Sequence, residues 1–195
     1  IHIQYNFTNN TTFICIYLIL YPIISQSRYT DINLVMEKKM KGNKEVLDAL
    51  NDILMAELTG INIYYIHYMM QEDWGYKKIS SHSKEESMGE MKHAHKIIER
   101  IIYLDGVPNM SKYDEVLVGD DVETQLKNQY TIESNHVERL NKYCALCQSK
   151  GDYGTKEVLD SILEDTEESC DWLETQFSRI KDIGIQPYLA EHMHD

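Results

Sequence analysis

The chain runs to 195 residues with 32 acidic against 19 basic side chains, a net charge near -13; this argues against a nucleic-acid surface, because phosphate binding needs a basic face. Nine Gly and three Pro are too few to punctuate an all-β sandwich or barrel, which turns every ~8–12 residues, so long helices are the alternative. Cys15, Cys144, Cys147 and Cys170 lie too far apart for a disulfide framework and read as thiols of a reducing, cytoplasmic compartment.

Residues 1–39 differ in composition from the rest of the chain, being rich in Ile, Asn, Thr and Tyr and lacking helical periodicity. The apolar run over 13–24 is 12 residues long and is broken by Pro22, whereas a membrane helix needs ~20. A secretory signal wants basic residues ahead of such a run; here only His2 precedes it, although Ser25-Gln26-Ser27 has the small residues of a cleavage site. The segment reads as a leader, translated upstream of a start at Met36 or Met40, and 40–195 reads as the folding unit.

Over 43–74 the residues Val46, Leu47, Leu50, Ile53, Leu54, Leu58, Ile61, Tyr64, Tyr65 and Tyr68 recur at helical steps. Asn43 caps the start and Gly75 follows the end. A second helix is predicted over 78–105 through Ile79, Met88, Ala94, Ile97, Ile98, Ile101 and Leu104, stopped by Gly106 and Pro108. After a long connection, a third spans 121–150 through Val122, Leu126, Tyr130, Val137, Leu140 and Cys144. A fourth spans 155–182 through Val158, Leu159, Ile162, Leu163, Trp172, Leu173, Phe177 and Ile180. A short fifth covers 186–191. Helices near 30 residues run about 45 Å. That length suits an all-α four-helix bundle, and the long link between the second and third gives it one crossover, the connectivity of ferritin-like bundles.

Charged residues fall where this core should be. Glu57 sits three and four residues from Ile53, Leu54 and Ile61; Glu90 and His93 continue the face of Ala94, Ile97 and Ile101; Glu133 lies among Leu126, Tyr130, Val137 and Leu140. Any one of them alone reads as a water-exposed acid. Three carboxylates at matching depth, with an imidazole one turn from Glu90, instead make the donor set of a dinuclear iron or manganese site inside a bundle. A metal-free interaction bundle requires all three acids to be solvent-exposed.

The chain from Met40 to about Leu189 resembles the bacterioferritins. The resemblance rests on MKGNKEVLDALNDILMAELTGIN at 40–62, DWG at 73–75, ESMGEMKHAHKIIERIIYLDGVPN at 86–109, VGDDVETQL at 118–126, GDYGTKEVLDSILEDTEESCDWLETQ at 151–176 and IGIQPYL at 183–189. It implies an iron-storage shell of twenty-four subunits with a di-iron ferroxidase centre in each bundle, served by ferrous iron and by oxygen or peroxide. It also implies b-type haem between subunit pairs. On the family pattern Glu57, Glu90, His93 and Glu133 are iron ligands, Tyr64 is the aromatic beside the centre, and Met91 supplies the haem's axial sulfur. Composition alone makes Met91, aligned with Met88 and His95, equally a packing methionine.

The sequence departs from the pattern on its fourth helix, where the family's second Glu-x-x-His falls on Thr166 and Ser169. Hydroxyls are weak neutral ligands, and adjacent Glu167 and Glu168 are turned by about 100° per residue away from those positions. The family's inner-surface iron site is also altered, with Glu85 and Gly89 at its His and Asp. Glu133 and His136 form an unexpected Glu-x-x-His on the third helix; because it lies on the wrong helix, His136 is expected to be a partly exposed surface histidine rather than a ligand. The expected function is an iron-storage and detoxification subunit with an incomplete centre, in a homo-oligomer or paired with a catalytic paralogue; the alternative is an active ferroxidase with a rearranged site. Cys144 and Cys147, on a helix and without a second pair, read as packed thiols.

Overall fold

The computed structural model describes residues 42–193, so the reading of 1–39 as a leader lies outside the described residues. Among the described residues five helices run in order: α1 Lys44–Asp73, α2 Lys77–Tyr103, α3 Val122–Ser149, α4 Tyr153–Ile183 and α5 Ile185–Glu191. Their starts are set locally. The Asn43 side chain accepts from the Glu45 N–H at 2.8 Å, Asp121 from that of Thr124 at 2.8 Å and Asp152 from that of Thr155 at 3.0 Å, each satisfying a donor the first helical turn leaves open. Gly151, with φ of 70°, takes the left-handed conformation that lets α4 fold back on α3.

Hydrogen bonds along the chain define the topology. The crossover climbs α1 from one end to the other: Asn51 Oδ1 accepts from the Asn109 N–H at 2.7 Å, Thr59 Oγ1 from that of Asp114 at 2.8 Å, and His67 Nε2 lies 3.1 Å from the Leu117 carbonyl. Helix α3 therefore begins at the far end of α1 and returns antiparallel to it, through Gln129 on His67, Glu133 on Tyr64, His136 on Glu57 and Tyr143 on Asp52. Helix α2 is also antiparallel to α1, with Ser83 on Gln71 near one end and the Gly42 N–H on the Leu104 carbonyl at the other. Arg100 joins α2 to the start of α4, reaching Asp152 Oδ1 at 2.7 Å and Thr155 Oγ1 at 2.8 Å. The result is the ferritin-like bundle expected from the connectivity, with α5 folded onto one end of it.

The core is layered. One apolar cluster joins Val46, Leu50, Ile53 and Leu54 to Ile97, Ile101, Leu140, Leu159 and Ile162; a smaller one joins Ile79, Val122, Leu126, Leu173 and Tyr188. Cys144 and Cys147 pack as free thiols against the first. Polar residues fill the space between. Here apolar periodicity misplaces some faces. Tyr65 is 56% exposed, while Ile63 and His67 are buried in its stead; on α3 the buried line runs through Gln125, Gln129, Glu133 and His136 rather than Tyr130 and Val137. Gln71 donates to Gln125 at 3.0 Å and Ser83 to Gln71 at 2.8 Å, so these inward polar groups satisfy one another.

Candidate metal centre

At mid-bundle the structure brings Glu57, Glu90, His93, Glu133 and Tyr64 together, and all five are buried. Glu57 is 0% exposed. The solvent-facing acids that a metal-free interaction bundle requires are therefore not found: Glu57, Glu90 and Glu133 are all buried. Position 60 on α1 is a glycine, and a Cβ there would meet the Glu90 carboxyl at 3.0 Å. The missing side chain lets the Glu90 head lie against the α1 backbone.

One carboxylate oxygen each from Glu57 and Glu90 and a ring nitrogen of His93 lie within 4.8 Å of one another, close enough to hold a single metal ion. His93 Nδ1 is 3.4 Å from Glu57 Oε2 and 3.4 Å from Glu90 Oε2, yet makes no hydrogen bond, and Glu57 Oε2 makes none either. The other nitrogen, His93 Nε2, faces Asp165 Oδ2 at 3.0 Å. Donation from Nε2–H to Asp165 leaves the Nδ1 lone pair facing the acids, the orientation a carboxylate-held histidine presents to a metal. The donor set, two buried carboxylates and one imidazole with unpartnered ligand atoms, fits a divalent cation such as iron.

Glu133 is tied differently. Tyr64 donates its hydroxyl to Glu133 Oε1 at 2.6 Å. The electrostatics match this division. Burial raises Glu90 well above the usual carboxylate range, with Glu57 and Glu133 adding to the shift. Burial also lifts Glu133 to about 7, partly opposed by Tyr64 and His136. At Glu57 burial pushes upward too, but His136, Glu90 and His93 together outweigh it and hold the carboxylate ionised. Burial works against charge on His93; Glu57 and then Asp165 outweigh it and raise its pKa. Without metal, the centre balances its charges with protons.

Thr166 and Ser169 do not face the acids as donors. The Thr166 hydroxyl bonds to the Ile162 carbonyl at 2.8 Å, and Ser169 bonds to Glu86 Oε2 at 2.9 Å. Glu167 is exposed, as its 100° offset predicts. His136, by contrast, corrects the expectation of a surface histidine. It is buried, and its Nε2 lies 2.9 Å from Glu57 Oε1. The reason is topological: α3 packs directly against α1, and position i+3 from an inward Glu133 shares its face. Asp165 carries no sequence signal at all. Its side chain is 53% exposed and follows no inward stripe, so nothing periodic marks it.

Two cavities converge on the centre. One of about 510 Å³ opens under the crossover and is lined by Thr59, Gly60, Asp114 and His136; the other, about 390 Å³, lies between α2 and α4 beside Glu86, His93, Thr166 and Ser169. Glu90 and Glu133 line both. The small Thr166 and Ser169 side chains thus leave open space beside Glu90, His93 and Glu133. Met91, as its one-residue offset from Glu90 implies, points away from the centre and is 49% exposed.

A profile of the ferritin-like domain family matches residues 47–183. The chain is 37% identical over 152 residues to a bacterioferritin of Mycolicibacterium paratuberculosis, covering 78% of this chain and 96% of that one. It is 37% identical over 153 residues to a bacterioferritin of Brucella melitensis, covering 76% and 92%. To a bacterioferritin of Rhodobacter capsulatus it is 38% identical over 149 residues, covering 76% and 92%. With the bundle, the crossover and the buried acids in place, the chain belongs to the bacterioferritin family of ferritin-like proteins.

Proposed function

We propose that the chain stores and detoxifies iron as a subunit of a ferritin-like shell, taking ferrous ions into the buried centre with oxygen or peroxide as the oxidant. The observation that carries this reading is the buried group Glu57, Glu90 and His93, in which Glu57 Oε2 and His93 Nδ1 have no hydrogen-bond partner. Bound iron supplies the redox change. The chain's own residues bind and orient: Glu57 and Glu90 offer charge, Asp165 holds the His93 ring, and Tyr64 fixes one oxygen of Glu133. Glu90 releases its proton as cationic charge arrives. Replacement of the fourth-helix pair by Thr166 and Ser169 leaves this centre one carboxylate and one imidazole short, so storage is the role and rapid oxidation is not.

Glu90→Gln tests the centre. The amide keeps the volume but not the charge, and the variant is expected to bind ferrous iron anaerobically at least about tenfold more weakly, as metal sites commonly respond to lost support. Equilibrium dialysis against the unaltered chain measures this. Equal iron retention by both proteins overturns the assignment.

The reading extends to haem through Met91, whose exposed thioether suits an axial ligand facing a second subunit. Met91→Leu conserves volume at an exposed site and should cost well under about 1.5 kcal/mol in stability. Haem per subunit, read from the Soret absorbance, should fall to near zero while helicity is unchanged. Undiminished haem in that variant makes Met91 a packing residue only.

A further inference from the structure

We propose that His136 is a metal ligand, and that this chain builds its second cation position on α3, between Glu133, His136 and the Oε1 side of Glu57, in place of the pair lost from α4. The inference rests on the iron-binding function just proposed and names a residue to which the bacterioferritin pattern gives no role.

Three observations carry it. The Glu57 carboxylate stands between two imidazoles, with His93 Nδ1 3.4 Å from Oε2 and His136 Nε2 2.9 Å from Oε1. Each oxygen of one carboxylate thus faces a different nitrogen donor, the disposition by which a single carboxylate serves two ions. Glu133 and His136 sit three residues apart on the inward face of α3, as Glu90 and His93 do on α2. Both helices therefore present a Glu-x-x-His to the same interior, with Glu57 on α1 between them. Finally, four buried side-chain atoms lack a hydrogen-bond partner among the described residues, and three belong to this cluster: Glu57 Oε2, His93 Nδ1 and His136 Nδ1. A histidine retained only to neutralise Glu57 is expected to satisfy its second nitrogen elsewhere. Glu57 Oε2 and His93 Nδ1 belong to the first position, and the open Nδ1 of His136 leaves its ring, held through Nε2 beside Glu57, without the second anchor that a purely structural histidine takes.

The cavity under the crossover supplies the room. Glu90, Glu133 and His136 line it together, and Thr131 and Asn135 carry its wall along α3. Imidazole and carboxylate donors select a borderline divalent ion such as ferrous iron, cobalt or zinc over magnesium or calcium.

Cobalt(II) alone, titrated into the full chain without iron or oxygen, tests the assignment. Two ions per subunit should survive gel filtration, with visible d–d absorbance. His136→Gln should keep one and weaken the other at least about tenfold. Since that variant is open to misfolding, His136→Cys gives an independent positive signature: a near-ultraviolet thiolate-to-cobalt charge-transfer band absent from the parent chain, whose own thiols lie elsewhere. One retained ion in the parent, lost in Glu90→Gln, overturns the role of His136 while leaving the iron-binding function intact. Two ions indifferent to His136→Gln, without a charge-transfer band in His136→Cys, also overturn it. No retained ion overturns both proposals.

Discussion

Thr166→Glu combined with Ser169→His is expected to raise the initial rate of ferrous oxidation by at least about tenfold, the lower end of what a metal site loses when its support is removed. Oxidation adds positive charge to each ion, and a dry site must answer it with carboxylate charge. The centre offers Glu57, Glu90 and Glu133; the double variant adds a fourth acid and a further imidazole. Space for both exists in the cavity of about 390 Å³ that Thr166 and Ser169 line beside Glu90, His93 and Glu133. Neither native hydroxyl is irreplaceable: Thr166 bonds to its own helix and Ser169 to Glu86. In this scheme binding and oxidation separate, since His136 helps hold a second ion without contributing negative charge. Stopped-flow absorbance at about two ferrous ions per subunit measures the rates. Rapid oxidation of two irons by the unaltered chain sinks the reading of α4, and His136 then becomes the residue that restores activity.

The helices were legible because caps and apolar steps agree: Asn43 and the glycines after α1 and α3 sit where backbone groups need them. Glu57, Glu90, His93 and Glu133 were legible because a carboxylate on an apolar stripe contradicts that stripe. His136 was not, because reading it required knowing that α3 packs against α1, which comes from the path of the crossover rather than from any local pattern. Tyr65 failed for a related reason. Its step from Ile61 is helical, but the buried line runs through Gly60, Tyr64, His67 and Gln71, three of them polar or lacking a side chain and so invisible to an apolar count. Asp165 reaches His93 from the edge of α4, beyond the scope of any periodic argument.

His67 makes the bundle's stability depend on pH in a defined direction. Burial depresses its pKa to about 4 from an ordinary value of 6.5. Its partners hold the neutral ring, with Nε2–H donating to the Leu117 carbonyl at 3.1 Å and Nδ1 accepting from Gln129 at 3.0 Å. A proton on Nδ1 turns that acceptor into a second donor facing the Gln129 amide and places charge in a dry layer. Because the folded value lies below the unfolded one, the unfolded chain takes up the proton first. Stability therefore rises with pH across the window from about 4 to 6.5. Between pH 7.5 and pH 5 the His67 share of the loss is about 2 kcal/mol. His82, half-buried and stacked on Trp172 and also depressed to about 4, acts in the same sense, so the parent chain loses more than this. His67→Gln isolates the contribution: its amide N–H can reach Leu117 and its carbonyl can accept from Gln129, with nothing to titrate. Urea unfolding of both proteins at pH 7.5 and at pH 5 should show the variant losing about 2 kcal/mol less on acidification. Equal acid sensitivity in the two proteins would mean that His67 is already charged, or solvated, in the folded bundle, and the crossover's anchor on α1 would have to be assigned to Asn51 and Thr59 alone.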